Sequence, residues 1–193
     1  TFGSSSLLRA QLSARQLDLD RFAARENAAE PVRVLPMLRN LMSGIPATPM
    51  PVQVEFSSDQ IMLGGRPVQE IATELRADGA AWSVRKLEFR APGSTRVSLS
   101  GAGAQSADTF KAALSVDSAD PDALVTWLQG RGDPAYRSQK PLRLRGEVDA
   151  GPHTVAIAGM KAEFEGGAVE GRVALSSLRS DGGIKIDADL KSE

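Results

Sequence analysis

The 193-residue chain contains no cysteine, which excludes a disulfide framework and any thiolate metal site. It has a single histidine, so neither a zinc centre nor a non-haem iron centre can be assembled from the usual ligands. Aromatic residues make up only 5%, with two Trp and one Tyr, which disfavours a platform of stacked rings for sugars or single-stranded nucleic acid. Neither sign of charge dominates: 23 Lys and Arg stand against 24 Asp and Glu, a net charge of -1, so the basic footprint of a nucleic-acid binder is missing. No apolar run approaches the roughly 18 residues of a membrane span, and no charged segment followed by an apolar one opens the chain. The chain starts at Thr1 and stops in a strand-like stretch at 187–193. A water-soluble piece of a longer polypeptide is therefore expected, with any leader or anchor outside it.

What is present is alternation. Val52, Val54 and Phe56 alternate with Gln53 and Glu55, and Ile71, Thr73 and Leu75 alternate with Ala72, Glu74 and Arg76. This period of two belongs to half-buried strands, and it recurs in short segments through Ile184, Ile186, Ala188 and Leu190. Trp82 and Val84 share one parity, whereas Leu87 and Phe89 share the other, which predicts a β-bulge near Arg85 and Lys86. Gly64-Gly65, Asp78-Gly79, Pro92-Gly93, Gly166-Gly167 and Asp181-Gly182-Gly183 are tight-turn chemistry. Most gaps are too short for a crossover, so an antiparallel meander is expected. The fold class is mainly β with a few short helices, in curved, repeating β-groove or sandwich-like packing.

Helix is confined to three places. Asp120 reads as an N-cap with Pro121 at the first helical position, and Gly130 closes that helix. Asp18 caps a comparable start, expected to run through Glu26, and residues 36–42 form a third stretch stopped by Gly44.

Two of these starts belong to a repeat. Leu-Ser-x4-Asp-x-Asp occurs at Leu12 to Asp20 and again at Leu114 to Asp122. Pro51-Val52-Gln53-Val54 then matches Pro141-Leu142-Arg143-Leu144, and Lys86-Leu87-Glu88-Phe89 matches Lys161-Ala162-Glu163-Phe164. Val97-Ser98-Leu99 matches Val173-Ala174-Leu175, and Ala113-Leu114-Ser115 matches Asp189-Leu190-Lys191. Copies of one strand-rich unit are implied, with the chain's end at the threshold of a third. The expected division is 1–128 for the first unit and 129–193 for a second, incomplete one.

Candidate chemistry is sparse. The Asp18-x-Asp20 and Asp120-x-Asp122 pairs could hold a divalent cation, but a helix start needs the same residues for capping and for its dipole. His153 lies beside a turn without the nucleophile elbow of a hydrolase. Gly101-Ala102-Gly103 opens like a dinucleotide fingerprint, yet the third glycine is missing and a strand follows. Arg131-Gly132-Asp133 spells an adhesion tripeptide within a polar loop, a chance match for three common residues. The many carboxylates alternate with Lys and Arg as on a solvated sheet face, and single out no pair for glycoside hydrolysis. No enzyme signature emerges, and no metal or cofactor is expected. The remaining feature is the apolar strand face, which either closes into a dry core or lines a groove.

Several segments resemble one family. Ala10-x-Leu12-Ser13-Ala14-x2-Leu17-Asp18-Leu19-Asp20-x-Phe22, Gly64-Gly65-Arg66-Pro67-Val68-Gln69-Glu70-Ile71, Trp82-Ser83-Val84-Arg85-Lys86-Leu87-Glu88-Phe89 and Ala91-Pro92-Gly93-x3-Val97-x-Leu99-x-Gly101 are similar to the AsmA-like proteins of the Gram-negative envelope. The resemblance covers most of the chain to about Leu128; the second copy departs from Leu-Asp-Leu-Asp, reading Ala119-Asp120-Pro121-Asp122. It implies a periplasmic part of a protein anchored in the inner membrane, with stacked β-grooves that conduct phospholipid toward the outer membrane. It implies no catalytic residue and no cofactor. The expected lipid-facing groove residues are Val54, Phe56, Leu75, Trp82, Phe89, Val97 and Leu99, with Asp18 and Asp120 as structural caps. The expected partners are phospholipid and other envelope proteins, and no nucleic acid. The alternative expectation is a structural module for outer-membrane protein assembly that carries no ligand.

Overall fold

The computed structural model describes residues 7–23, 48–79, 81–104, 109–130, 140–151, 154–177 and 184–192. The alternating segments become ten strands: β1 (Leu8–Asp18), β2 (Thr48–Leu63), β3 (Arg66–Gly79), β4 (Ala81–Ala91), β5 (Thr95–Ala104), β6 (Thr109–Ser118), β7 (Leu142–Ala150), β8 (Thr154–Phe164), β9 (Gly167–Ser177) and β10 (Ile184–Ser192). Two helices, α1 (Leu19–Ala23) and α2 (Pro121–Gln129), follow β1 and β6. The expected extension of α1 to Glu26 and the helix at 36–42 lie outside the described residues.

All ten strands form one open sheet in sequence order, with β1 and β10 at its edges. This is the mainly β meander expected, except at one edge. β1 pairs with β2 in parallel, Leu8 beside Val52 and Asp18 beside Met62, while the other eight pairings are antiparallel. Residues 19–47 separate these two strands, long enough to return the chain to the starting end of the sheet, as parallel pairing requires. No second sheet faces this one among the described residues.

The parity change at Arg85 and Lys86 is a bulge. Val84 pairs with Gly101 and Leu87 with Leu99, so Arg85 and Lys86 together oppose one residue of β5. β8 repeats the device, because Ile157 pairs with Val173 and Met160 with Gly171, with Gly159 in the left-handed region at φ 54. Such bulges bend a strand and increase its twist.

The bulges also reset the internal repeat. Counted from them, Leu87–Leu99–Leu114 corresponds to Met160–Gly171–Leu190, and Val84–Gly101–Ala112 to Ile157–Val173–Ala188. The Leu114 and Leu190 match stands, whereas Lys86 aligns two residues away from Lys161 and Val97 aligns with Val169 rather than Val173. The Pro51 and Pro141 match fails on direction. β2 runs parallel to β1, but β7 runs antiparallel to β6, so the two Pro-led strands point opposite ways from their Asp-x-Asp joints.

At the first joint the two aspartates do different work. Asp18 Oδ1 accepts the Arg21 N–H at 2.9 Å and caps α1, while the Asp20 carboxylate accepts the N–H groups of Gly64 at 2.7 Å and Gly65 at 2.8 Å. Asp20 thus holds the β2–β3 turn, where two consecutive residues with positive φ leave both donors aimed outward. Asp20→Ala is expected to cost about 1–2 kcal/mol in urea unfolding and to speed amide exchange at Gly64 and Gly65. Unchanged exchange at both amides would contradict this role.

Candidate apolar track

Residues that pair across a sheet share a face, so the register reads out what each face carries. One row crosses all ten strands as Ala10, Val54, Leu75, Val84, Gly101, Ala112, Val148, Ile157, Val173 and Ala188. Every position in it is apolar or glycine. A neighbouring row runs Leu8, Val52, Ala77, Trp82, Gly103, Phe110, Ala150 and Val155, again without a polar residue. On its other side Leu12, Phe56, Thr73, Leu87, Leu99, Leu114 and Gly146 follow, with one threonine.

The opposite face is charged. Lys111 meets Asp149 at 3.3 Å, Arg143 meets Asp117 at 3.5 Å and Glu163 at 3.7 Å, and Lys161 meets Glu170. These exposed pairs contribute ~0–1 kcal/mol each, and their value is to keep this face wet. A shallow depression of about 450 Å3 lies where Ser98, Ser100, Ala113 and Ser115 sit low between Arg85, Lys86 and Arg145. Arg85 already pairs with Glu74 and Lys86 with Glu88.

Cover on the apolar face is uneven. α2 lies at the end of the sheet where β2 turns into β3, and its Leu124 and Trp127 join Ile61, Leu63, Val68, Ile71 and Ala91 in one cluster. Phe56, Phe89 and Val116 pack against that cluster. Ile61, Leu63 and Val68 reach it although their parity is one residue off that of Phe56 and Ile71; Glu70, at φ 52, sits at this slip.

Four contacts seat the helix. Asp120 caps it by accepting the Ala123 N–H at 3.1 Å, and the Asp120 N–H donates to Gly93 O at 3.0 Å. Gly93 permits that approach, because a Cβ there would collide with the Asp120 carbonyl. Thr95, fully buried, hydrogen-bonds Ser118 at 2.7 Å beneath the joint. At the far end Trp127 Nε1 donates to Leu63 O at 2.7 Å, which ties α2 to β2 across the intervening strands.

Away from α2 the apolar side chains cover one another. Trp82, Val84, Phe110 and Ala112 form a second buried cluster, with Leu75, Leu87 and Leu99 packed around it. Trp82 is 8% and Phe110 4% exposed, and no residue of α1 or α2 belongs to their cluster. The two rings come from strands on either side of β5 and stack at 4.9 Å above Gly103. A Cβ on Gly103 would lie 2.8 Å from the Trp82 ring. Toward both edges the cover runs out: Leu8 is 54%, Leu12 55%, Val155 42% and Leu190 48% exposed.

The seven residues singled out from sequence divide between these environments. Leu75, Trp82 and Leu99 belong to the self-covered cluster, and Phe56 and Phe89 pack under α2. Val54 lies in the unbroken row, and buried Val97 pairs with Phe89 and Val116. Phe110, Ala112, Val148, Ile157 and Val173 also belong to the track; their alternation was visible, but only the register puts them beside the first seven. Asp18 and Asp120 are occupied as caps and Asp20 by the turn, and among the described residues no three His, Cys, Asp or Glu side chains come together. Gly101 and Gly103 lie within β5; His153 and Arg131-Gly132-Asp133 lie outside the described residues. No described helix is long and apolar enough to cross a membrane. Comparison of the chain with protein-family models, with curated proteins and with solved structures finds no match.

Two substitutions probe the two kinds of cover. Trp127→Phe keeps the ring but leaves the buried Leu63 carbonyl without its donor, so a loss of about 1–3 kcal/mol is expected, with increased binding of a hydrophobic dye as α2 loosens. Gly103→Ala is expected to cost roughly 1–3 kcal/mol and to abolish the near-ultraviolet circular dichroism of the stacked rings. An unaltered spectrum would mean that the pair does not depend on the bare backbone of β5.

Proposed function

We propose that this chain shields and passes lipid acyl chains along the apolar face of its sheet, as a non-enzymatic periplasmic segment of an AsmA-like envelope protein. The observation that carries the reading is the row from Ala10 to Ala188, which crosses every strand without a polar residue. Ten strands about 4.8 Å apart extend such a row to ~43 Å, more than the ~30 Å hydrocarbon thickness of a bilayer. The row is thus longer than an extended acyl chain.

The chemistry of this task needs no motif. Each methylene kept from water is worth about 0.8 kcal/mol, while transfer from one apolar environment to another is close to neutral. A greasy track thus holds a lipid against water without trapping it. Polar landmarks would work against passage, because a hydrogen-bonded headgroup site would be a sink. The charged outer face keeps such a sheet dispersed in an aqueous compartment, and the sparse, mostly aliphatic lining suits alkyl chains rather than sugars or bases.

The test is native mass spectrometry and lipid extraction of the purified chain, backed by titration with a hydrophobic probe. Phospholipid should co-purify, and Leu12→Lys and Val155→Lys should each lower its occupancy at least several-fold with stability changed by less than about 0.5 kcal/mol. Protein free of lipid that also binds no probe would rule the reading out. Capture of envelope proteins through the outer face, with no lipid crosslinked to the rows, would favour an assembly module instead.

A further inference from the structure

We propose that the outer edge of β10 is a docking edge for one more antiparallel strand, which sets apolar residues beside Ala188 and Leu190 and basic ones beside Asp187 and Asp189. The inference concerns the edge of the sheet and does not depend on what occupies its apolar face. It rests on the correspondence set by the bulges: Ala188 and Leu190 stand to the β8 bulge as Ala112 and Leu114 stand to the β4 bulge. β6 is paired on both sides, by β5 and β7, whereas β10 is paired only by β9 among the described residues.

β7 shows how such an edge is filled. It places Val148 beside Ala112 and Gly146 beside Leu114, extending the apolar rows by one strand. A strand laid on β10 in the same way puts apolar residues beside Ala188 and Leu190, and Leu190 is 48% exposed at present. Main-chain hydrogen bonds supply the affinity of such strand addition, and alternate side chains supply its specificity.

Charge sets the remaining requirement. Across β6 and β7, Lys111 pairs with Asp149, and Ala113 stands opposite Glu147. β10 carries Asp187 at the position of Lys111, which reverses the sign, and Asp189 at the uncharged position of Ala113, with Lys191 next along the same face at the position of Ser115. Like charges directly opposite on paired strands are destabilising. The occupant therefore carries bases where β7 carries Glu147 and Asp149, and a copy of β7 itself would be rejected.

Two ten-residue peptides test this against the whole chain: one with the sequence of residues 141–150, the other with Glu147→Lys and Asp149→Lys. The second should bind about tenfold more tightly at low salt, protect alternate amides of β10 in hydrogen exchange, and lose its advantage at high salt. The chain variant Asp189→Lys, altered at an exposed position, should narrow or reverse the preference. Equal binding of both peptides, protection of β1 instead of β10, or no protection would overturn the proposal. So would a chain that dimerises alone with β10 already protected, because the occupant would then be a second copy.

Discussion

Backbone pairing in an unbroken order from β1 to β10 is the constraint on which the rest of this molecule depends. Each strand alternates apolar and polar residues, and each pairing passes that alternation to its neighbour. A slip of one residue anywhere would put charge into the apolar rows. The bulges in β4 and β8, and the slip at Glu70 in β3, are the permitted exceptions. At Arg85 and Lys86 the parity of β4 changes, and the extra residue absorbs the change, so that Val84 and Leu87 still meet the same face. Without that extra residue Leu87 would fall on the charged face and its row would break.

A single layer of sheet leaves one apolar face to be dealt with, and this chain does so in two ways. Near the turn end α2 covers it, held by its N-cap at the β4–β5 turn and by Trp127 at Leu63. In the middle no second layer is present among the described residues, and Trp82, Val84, Phe110 and Ala112 bury one another. The Trp82 and Phe110 stack exists because Gly103 between them has no side chain. At the edges neither device operates, which is where leucines and valines are exposed. Partial cover of a continuous apolar face distinguishes this arrangement from a closed core, and a lipid-shielding reading draws its support from it.

Much of the fold was legible from residue pattern. The alternation located the strands, Asp120-Pro121 and Gly130 bounded α2, and the parity change between Val84 and Leu87 located a bulge. Three things escaped. The parallel pairing of β1 was hidden because the long segment after Asp20 carries no mark of the direction in which it returns. Asp20 looked like half of a carboxylate pair, and its partners, Gly64 and Gly65, lie more than forty residues away. The repeat was aligned by matching side chains, some of which had drifted by two to four residues, whereas the bulges mark the register directly. Of the candidate track, the members on β2, β3, β4 and β5 were found through their size. Small residues such as Gly101 and Gly103 carry no signal until pairing places them in a row.

The sequence by itself determined that this protein is strand-rich with one apolar and one charged face, because a period of two is a local property of each segment. It also determined where the two helices begin, since capping needs only neighbours in the chain. Tertiary structure alone decided that the apolar faces line up across ten strands, that α2 roofs only part of them, and that β10 stands at an edge of the sheet. Those outcomes depend on register, strand direction and the placing of bulges, and these are set by hydrogen bonds between residues distant in the chain.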